Sequence, residues 1–462
     1  MNKFHFFVFG SFVVNLIIKL YKIDHSAFSY DEIISVKDTL LDFGHIKHES
    51  EWDSNPPFYY YCLWVWEKIF GLSEVGIRSF SAFFNSAAII TFGYYLYRDF
   101  NKNISVFFIL IFTFHPTLLF YAQEARCYSL LLFLTSVSII IFNNFILRNS
   151  MKNLIWLSLI NFLLIYTHYL AAFILFFQFL FILFYFRQHF IKFFLSNLVV
   201  LVLVLLRFTK KQYLLIFGIT SDSNKETWIK KATLLDLANF CNEMYFHYIF
   251  FVALLITVCY FLHKNKEKEK IIYYIIFVSF LTPVIFYLVG KYVPIFINRY
   301  ILFSVVFTLI LVSYIIYYTG KSGYILLSLV VGVEMINLDF GETKGSDFRS
   351  VANFVHKIKQ KPLVIINKKD ITELFTYYYD VNLFEKVSRK DKTELNQRNI
   401  YDANSVEDLE KINIDQQKVV LLFQNFDTEK ANKEIYDWFI NHHYKMEKYS
   451  IFTGIKFTLF KK

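Results

Sequence analysis

Residues 56–70 read P-P-F-Y-Y-Y-C-L-W-V-W-E-K-I-F, and the topology of the whole chain turns on whether they cross a membrane. The segment is apolar, but about fifteen residues fall short of the ~20 that a helix needs to span a hydrocarbon core. Its aromatic belt and the Glu67-Lys68 pair suit a helix lying in the interface instead. Read as a surface helix, it leaves Arg98 and Lys102, Arg148 and Lys152, Arg187 and Lys192, the run Lys264 to Lys270, and Lys321 all on one side. Short loops rich in Lys and Arg stay in the cytoplasm, so that side is inside. The N-terminus is then cytoplasmic, the C-terminus extracytoplasmic, and the number of crossings odd. Counting 56–70 as a span would reverse every later loop.

Around this segment the chain is built for lipid. Of 462 residues, 56% are hydrophobic and 21% aromatic, with 57 Phe and 33 Tyr against 13 Gly and 6 Pro. That balance exceeds an ordinary globular core and favours long helices over disorder. Apolar runs long enough, or nearly so, to cross a bilayer number about eleven. They lie near 4–21, 78–97, 104–121, 128–147, 153–169, 170–186, 191–207, 248–263, 271–290, 300–318 and 324–340. Backbone groups in lipid must be satisfied internally, and these uniform runs are too long for barrel strands, so they predict helices. The first run follows Lys3 and has no small-residue cleavage site after it; Lys19, Tyr21 and Lys22 read as interfacial anchors of an uncleaved span. The net charge of +10 comes from lysines in loops. With no Arg-rich stripe or binding motif, no nucleic-acid partner is expected. Cys62, Cys127, Cys241 and Cys259 are scattered without a C-x-x-C, which predicts buried thiols.

Residues 341–462 differ in character. Charge density rises, and β-rich runs appear at Leu363 to Ile366, Val419 to Phe423 and Ile451 to Phe460, with a helical spacing over Lys430 to Phe439. The expected organisation is a membrane domain over 1–340, with surface helices in its 22–77 loop, and a small soluble α/β domain over 341–462.

Charged residues collect at the ends of spans on the non-cytoplasmic side. Asp31 and Glu32 follow Ser29-Tyr30 and open a short amphipathic segment. Acids in a first helical turn favour the helix dipole, and a carboxylate held at a membrane surface can equally act as a general base. Glu124, in Y-A-Q-E-A-R, either pairs with Arg126 or offers oxygen to a nucleophile or a divalent cation. Asp53 precedes Pro56-Pro57, either as a turn residue or as part of the same site. His168 stands in T-H-Y, and Arg299 in I-N-R-Y at the start of an apolar run. Arg299 either snorkels or clamps a phosphate, for which a guanidinium fork is suited. Arg78, Arg207 and Lys291 are weaker candidates for that clamp.

The order of these pieces resembles the membrane-embedded, lipid-dependent glycosyltransferases of GT-C fold, and more narrowly the family related to protein mannosyltransferases and bacterial aminoarabinose transferases. The resembling residues are Y-D-E at 30–32, the stretch from N-P-P at 55–57 to S-A-F-F at 81–84, H-P-T-L-L-F-Y-A-Q-E-A-R-C-Y-S-L at 115–130, T-H-Y at 167–169, N-R-Y at 298–300 and G-S-D-F-R-S-V-A-N-F-V at 345–355. The resemblance implies a mainly α, polytopic helical bundle with a small extracytoplasmic α/β domain, in the cell membrane. It implies transfer of a sugar from a polyprenyl-phosphate donor to a lipid, glycan or protein acceptor. Asp31 would match the loop acid taken as base or metal-site residue, with Glu32 beside it. Glu124 would match the acid of the second outer loop, and Arg299 the carrier-phosphate contact. Tyr30, Asp53, Arg126, His168 and Tyr300 are the further expected substrate contacts, Asp53 matching only loosely. Asp31 and Glu124 could also hold a divalent cation, Mg or Mn.

A phosphate ester is a good leaving group, so such a reaction needs a base and a positioned acceptor, and attack from the face opposite the leaving group inverts the anomeric carbon. All the acids and Arg299 are expected to share one cavity open to the outer aqueous phase. A lipid-linked saccharide flippase or transporter would instead line a path at mid-membrane depth with charge and show matched broken helices. A polysaccharide ligase or polymerase would need Arg and His in a large outer loop, whereas 208–247 holds Lys, Asp, Glu and the single His247. A non-catalytic receptor or assembly factor is the remaining alternative.

Overall fold

The computed structural model describes residues 3–44, 46, 55–206, 230–244, 254, 257, 270–293, 295–359, 361–367, 369–388, 393–414, 418–424 and 429–462. Asp53, Arg207 and nearly all of the expected 248–263 run lie outside them. The chain forms two compact units. One comprises Met1–Tyr21, Gly44–Trp66 and Ile77–Asp339; the other comprises Lys22–Phe43, Glu67–Gly76 and Phe340–Lys462. The loop segments 22–43 and 67–76, grouped by sequence with the membrane portion, thus fold with the C-terminal residues.

The first unit is helical. Five described helices are long and apolar enough to cross a membrane: Glu74–Asp99, Tyr128–Arg148, Arg187–Leu205, Ile271–Gly290 and Asn298–Tyr318. The last is 78% buried over its apolar window, because it packs against the helices at Lys102–Phe114, Tyr128–Arg148 and Ile271–Ile276. Arg187–Leu205 is only 28% buried over the same measure, which leaves most of its Leu and Val facing outward, as lipid contact requires. The expected runs at 4–21, 153–169, 170–186 and 324–340 are helices of 14 to 18 residues, at Lys3–Leu20, Met151–Ile165, Ala172–Tyr185 and Lys321–Ile336. Full-length apolar helices among the described residues therefore number five, or six with the bent pair below. Phe58–Phe70 is a 13-residue helix, about 20 Å long at 1.5 Å per residue, with Tyr59, Tyr60 and Leu63 buried.

The expected single run at 104–121 is in fact two helices, Lys102–Phe114 and Pro116–Ala122, meeting at 66°. Pro116 has no N–H to continue the ladder and forces the preceding residue out of the α region; His115 is accordingly extended, at φ −67 and ψ 117. Inside the apolar core, amides join four helices. Asn161 donates to Gln178 at 2.9 Å and to Asn197 at 3.0 Å, Gln178 donates to Ser138 at 2.9 Å, and Ser138 donates to Asn161 at 3.1 Å. All four are buried, so each polar group removed from water gains a partner in the bundle.

The second unit is α/β. Its five strands are β1 Leu363–Asn367, β2 Ile400–Asp402, β3 Lys418–Gln424, β4 Lys445–Phe452 and β5 Ile455–Lys461, in the order β2-β1-β3-β5-β4. β1 pairs parallel with β2 and β3, while β5 runs antiparallel to β3 and β4 antiparallel to β5. Every residue of β1 is buried, as a central parallel strand covered on both faces requires. Leu363, Ile365, Val419, Leu421, Phe439 and Phe460 share one core, to which the Glu429–Asn441 helix contributes Ile435 and Phe439. The run Ile451 to Phe460, expected as one strand, is split into a hairpin. Phe452 pairs with Ile455 across the two-residue turn Thr453-Gly454, and Gly454 takes φ +71, which an L side chain strains to adopt.

Candidate functional site

In the first unit the polar residues singled out from sequence gather where helices end. After the Pro116 bend, Gln123 closes the Pro116–Ala122 helix, its N–H donating to Leu119 and Phe120 carbonyls. Its side-chain amide donates to the carbonyls of Lys19 at 3.0 Å and Tyr21 at 2.9 Å, tying this turn to the end of the first helix. The Arg126 N–H donates to the Glu124 carbonyl at 2.8 Å, a tight turn that presents both side chains before the Tyr128–Arg148 helix begins. Ser81 Oγ and Ser129 Oγ brace the turn by donating to the carbonyls of Arg126 at 3.4 Å and Tyr121 at 3.2 Å. Glu124 and Arg126 are 6% and 7% exposed, so their charges are held away from bulk water.

Two further segments complete this group. His168 is buried, extended, and precedes the 3₁₀ turn Tyr169–Ala171. Its ring lies 6.1 Å from that of Tyr128 and 5.2 Å from that of Tyr300, centroid to centroid. Arg299 and Tyr300 occupy the 3₁₀ turn Asn298–Ile301, with the guanidinium 5.8 Å from the Tyr300 ring. Arg299, Arg126 and Glu124 all lie within electrostatic reach of the Tyr128 hydroxyl. Two of these three groups are guanidiniums, whose forked donors suit an anion with several oxygens. Five residues singled out from sequence, Glu124, Arg126, His168, Arg299 and Tyr300, are thus neighbours. Tyr128 joins them unannounced: a Tyr opening an apolar run reads as an interfacial anchor, and only its adjacency to Glu124 and Arg126 hinted otherwise.

The second unit carries Tyr30, Asp31 and Glu32 on the Tyr30–Thr39 helix. Glu32 closes a capping box: the Ser29 N–H donates to Glu32 Oε2 at 2.9 Å, and the Glu32 N–H donates to Ser29 Oγ at 3.3 Å. Its side chain is fully buried. This is the helix-start role, with S-Y-D-E supplying Ser and Glu three apart. Asp31, on the same turn, is half-buried and Tyr30 is exposed.

The helix is held in place by residues of its own unit. The Phe28 N–H donates to the Tyr378 hydroxyl at 2.6 Å, and that hydroxyl donates to Glu74 Oε1 at 2.6 Å. Arg349 Nη2 bonds the same Glu74 oxygen at 2.5 Å and the Asp24 carbonyl at 3.0 Å. Burial and the adjoining Glu74 carboxylate push the Tyr378 phenol well above its ordinary range, so it stays protonated and donates. Burial pulls against the Arg349 charge, and the Glu74 bond outweighs it, leaving the guanidinium above its usual value. At the other end of the helix Lys37 pairs with Glu373 at 2.9 Å.

Among the described residues no group of three or more His, Cys, Asp or Glu comes together as a metal ion would need.

The fold is of the polytopic GT-C type. The solved structure of ArnT from Cupriavidus metallidurans in the apo state has this fold, with a TM-score of 0.55 at 12% identity over 99% of this chain and 98% of that one. A second ArnT structure from the same organism, bound to undecaprenyl phosphate, aligns with a TM-score of 0.45 at 11% identity over 98% of each chain. No family model matches the sequence. No curated protein matches it either.

Proposed function

We propose that this protein is a multi-pass membrane glycosyltransferase that moves a sugar from a polyprenyl-phosphate carrier to an acceptor hydroxyl or similar nucleophile on the extracytoplasmic side. The observation that carries the reading is the Arg126, Arg299, Glu124, Tyr128, His168 and Tyr300 group at helix ends of a GT-C type fold. A lipid carrier keeps its tail in the bilayer and brings its phosphate to such an end. Arg299 and Arg126 bind the phosphate oxygens, Tyr300 and His168 offer faces and edges to the sugar, and Glu124 holds the guanidiniums in register. Asp31 takes the proton of the acceptor. The acceptor O–H bond breaks towards Asp31, the new bond forms at the anomeric carbon, and the bond from that carbon to the phosphate oxygen breaks. The electron pair leaves on polyprenyl phosphate, where Arg299 stabilises it. One displacement inverts the anomeric centre.

The test is turnover of the purified full chain in lipid nanodiscs. Undecaprenyl-phosphate-mannose and undecaprenyl-phosphate-aminoarabinose serve as donors, an envelope extract as acceptor, and released undecaprenyl phosphate is measured. Arg299→Ala is expected to lower kcat/KM by about 10²–10³, the range for losing one donor to developing negative charge, and Arg299→Lys by less. Native turnover in folded Arg299→Ala, or in folded Asp31→Asn, refutes the assignment of that residue. Retention of anomeric configuration in the product refutes the single displacement.

A further inference from the structure

We propose that Tyr378, with Glu74 and Arg349, is a positioning clamp for the Asp31 carboxylate, so that the C-terminal α/β unit takes part in catalysis through the loop helix it holds. The inference rests on the reading of Asp31 as the base. Three grips bear on the entry to the Tyr30–Thr39 helix. The Tyr378 hydroxyl accepts the Phe28 N–H two residues before the helix while donating to Glu74. Arg349 fastens the same Glu74 to the Asp24 carbonyl. Gly345 lies so close to the helix N-cap that a Cβ there would stand 2.7 Å from Ser29 Cα. The Phe28 and Tyr377 rings meet edge to face at 5.3 Å, and Lys37–Glu373 fixes the far end of the helix. Asp31 sits one residue inside the clamped end, where a small rotation of the first turn would carry its carboxylate away from an acceptor. A base works only within hydrogen-bond reach of its proton, so looseness at this turn costs rate and leaves carrier binding alone.

The experiment uses the full chain in nanodiscs with the two donors named above. Tyr378→Phe removes the bridging hydroxyl and keeps the ring. It is expected to lower kcat about tenfold with donor KM unchanged within about twofold. In the Asp31→Asn background the same substitution is expected to lower the residual rate no further, because a clamp that acts through Asp31 has nothing left to position. An equal loss from Tyr378→Phe in both backgrounds marks a merely structural residue and overturns the clamp. So does an unchanged kcat, or a loss carried by donor KM. Native turnover in Asp31→Asn removes the base and the clamp together, whereas an inactive Asp31→Asn beside a fully active Tyr378→Phe removes the clamp alone.

Discussion

Glu32 and Asp31 stand side by side, and separating them is the sharpest check on the site. In Glu32→Ala the Ser29 N–H loses the carboxylate that accepts it at 2.9 Å, and the helix start loses a buried anion at its positive end. A hydrogen bond to a charged group contributes about 1.5–3 kcal/mol, and the helix-dipole interaction about 0.3–1 kcal/mol. The two overlap in one contact, so the expected destabilisation is about 2–3 kcal/mol. Glu32→Gln keeps a side-chain oxygen in the same place and completes the box, as Gln does in such motifs, so it should cost about 1 kcal/mol or less. Asp31→Asn keeps the size and shape of a half-buried side chain and should cost about 1 kcal/mol or less, while cutting kcat by about 10²–10⁴, the range for a lost general base. Thermal unfolding in detergent, followed by tryptophan fluorescence, reads the first quantity, and release of undecaprenyl phosphate reads the second. Folded Glu32→Gln without turnover would refute the cap-only role and move the chemistry to Glu32.

Other perturbations test the frame. Asn161→Leu removes the centre of the buried amide network and strands Gln178, Asn197 and Ser138; resistance to unfolding in SDS should fall by about 1–2 kcal/mol, with donor KM unchanged. Gly454→Ala forces a side chain into φ +71 and sets a Cβ 2.5 Å from Ser346 Oγ, so the melting temperature should drop by an amount equivalent to at least about 1–2 kcal/mol. Pro116→Ala restores an N–H at the 66° bend; activity should fall as the Glu124 turn shifts, while total helix content by circular dichroism stays level.

Much of this was legible in the sequence, for identifiable reasons. Apolar length alone marked the long helices, and the surface-helix reading of 56–70 rested on a shortfall that the 13-residue helix retains. Glu124 and Arg299 stand out because charge at the end of an apolar run costs solvation energy, while Arg126, His168 and Tyr300 come with the Q-E-A-R, T-H-Y and N-R-Y motifs around them. Three short motifs carry finer structure than apolar length does. S-Y-D-E spelled out a capping box, H-P at 115–116 spelled out a bend, and T-G at 453–454 spelled out a hairpin. What no local pattern carries is long-range pairing. The sheet order places β1 between β2 and β3, and Glu74 finds Tyr378 at a separation of 304 in sequence, neither of which leaves a trace in a window of residues.

That last distance has a consequence for biogenesis. At ribosomal speeds of 5–20 residues per second, Tyr378 leaves the exit tunnel roughly 15–60 s after Glu74. Throughout that interval the segment bearing Asp31 has been synthesised without its eventual docking partner. The Tyr30–Thr39 helix therefore gains these contacts only once the C-terminal residues are made, and a ribosome that stops early releases a chain in which Phe28 and Glu74 lack the Tyr378 hydroxyl.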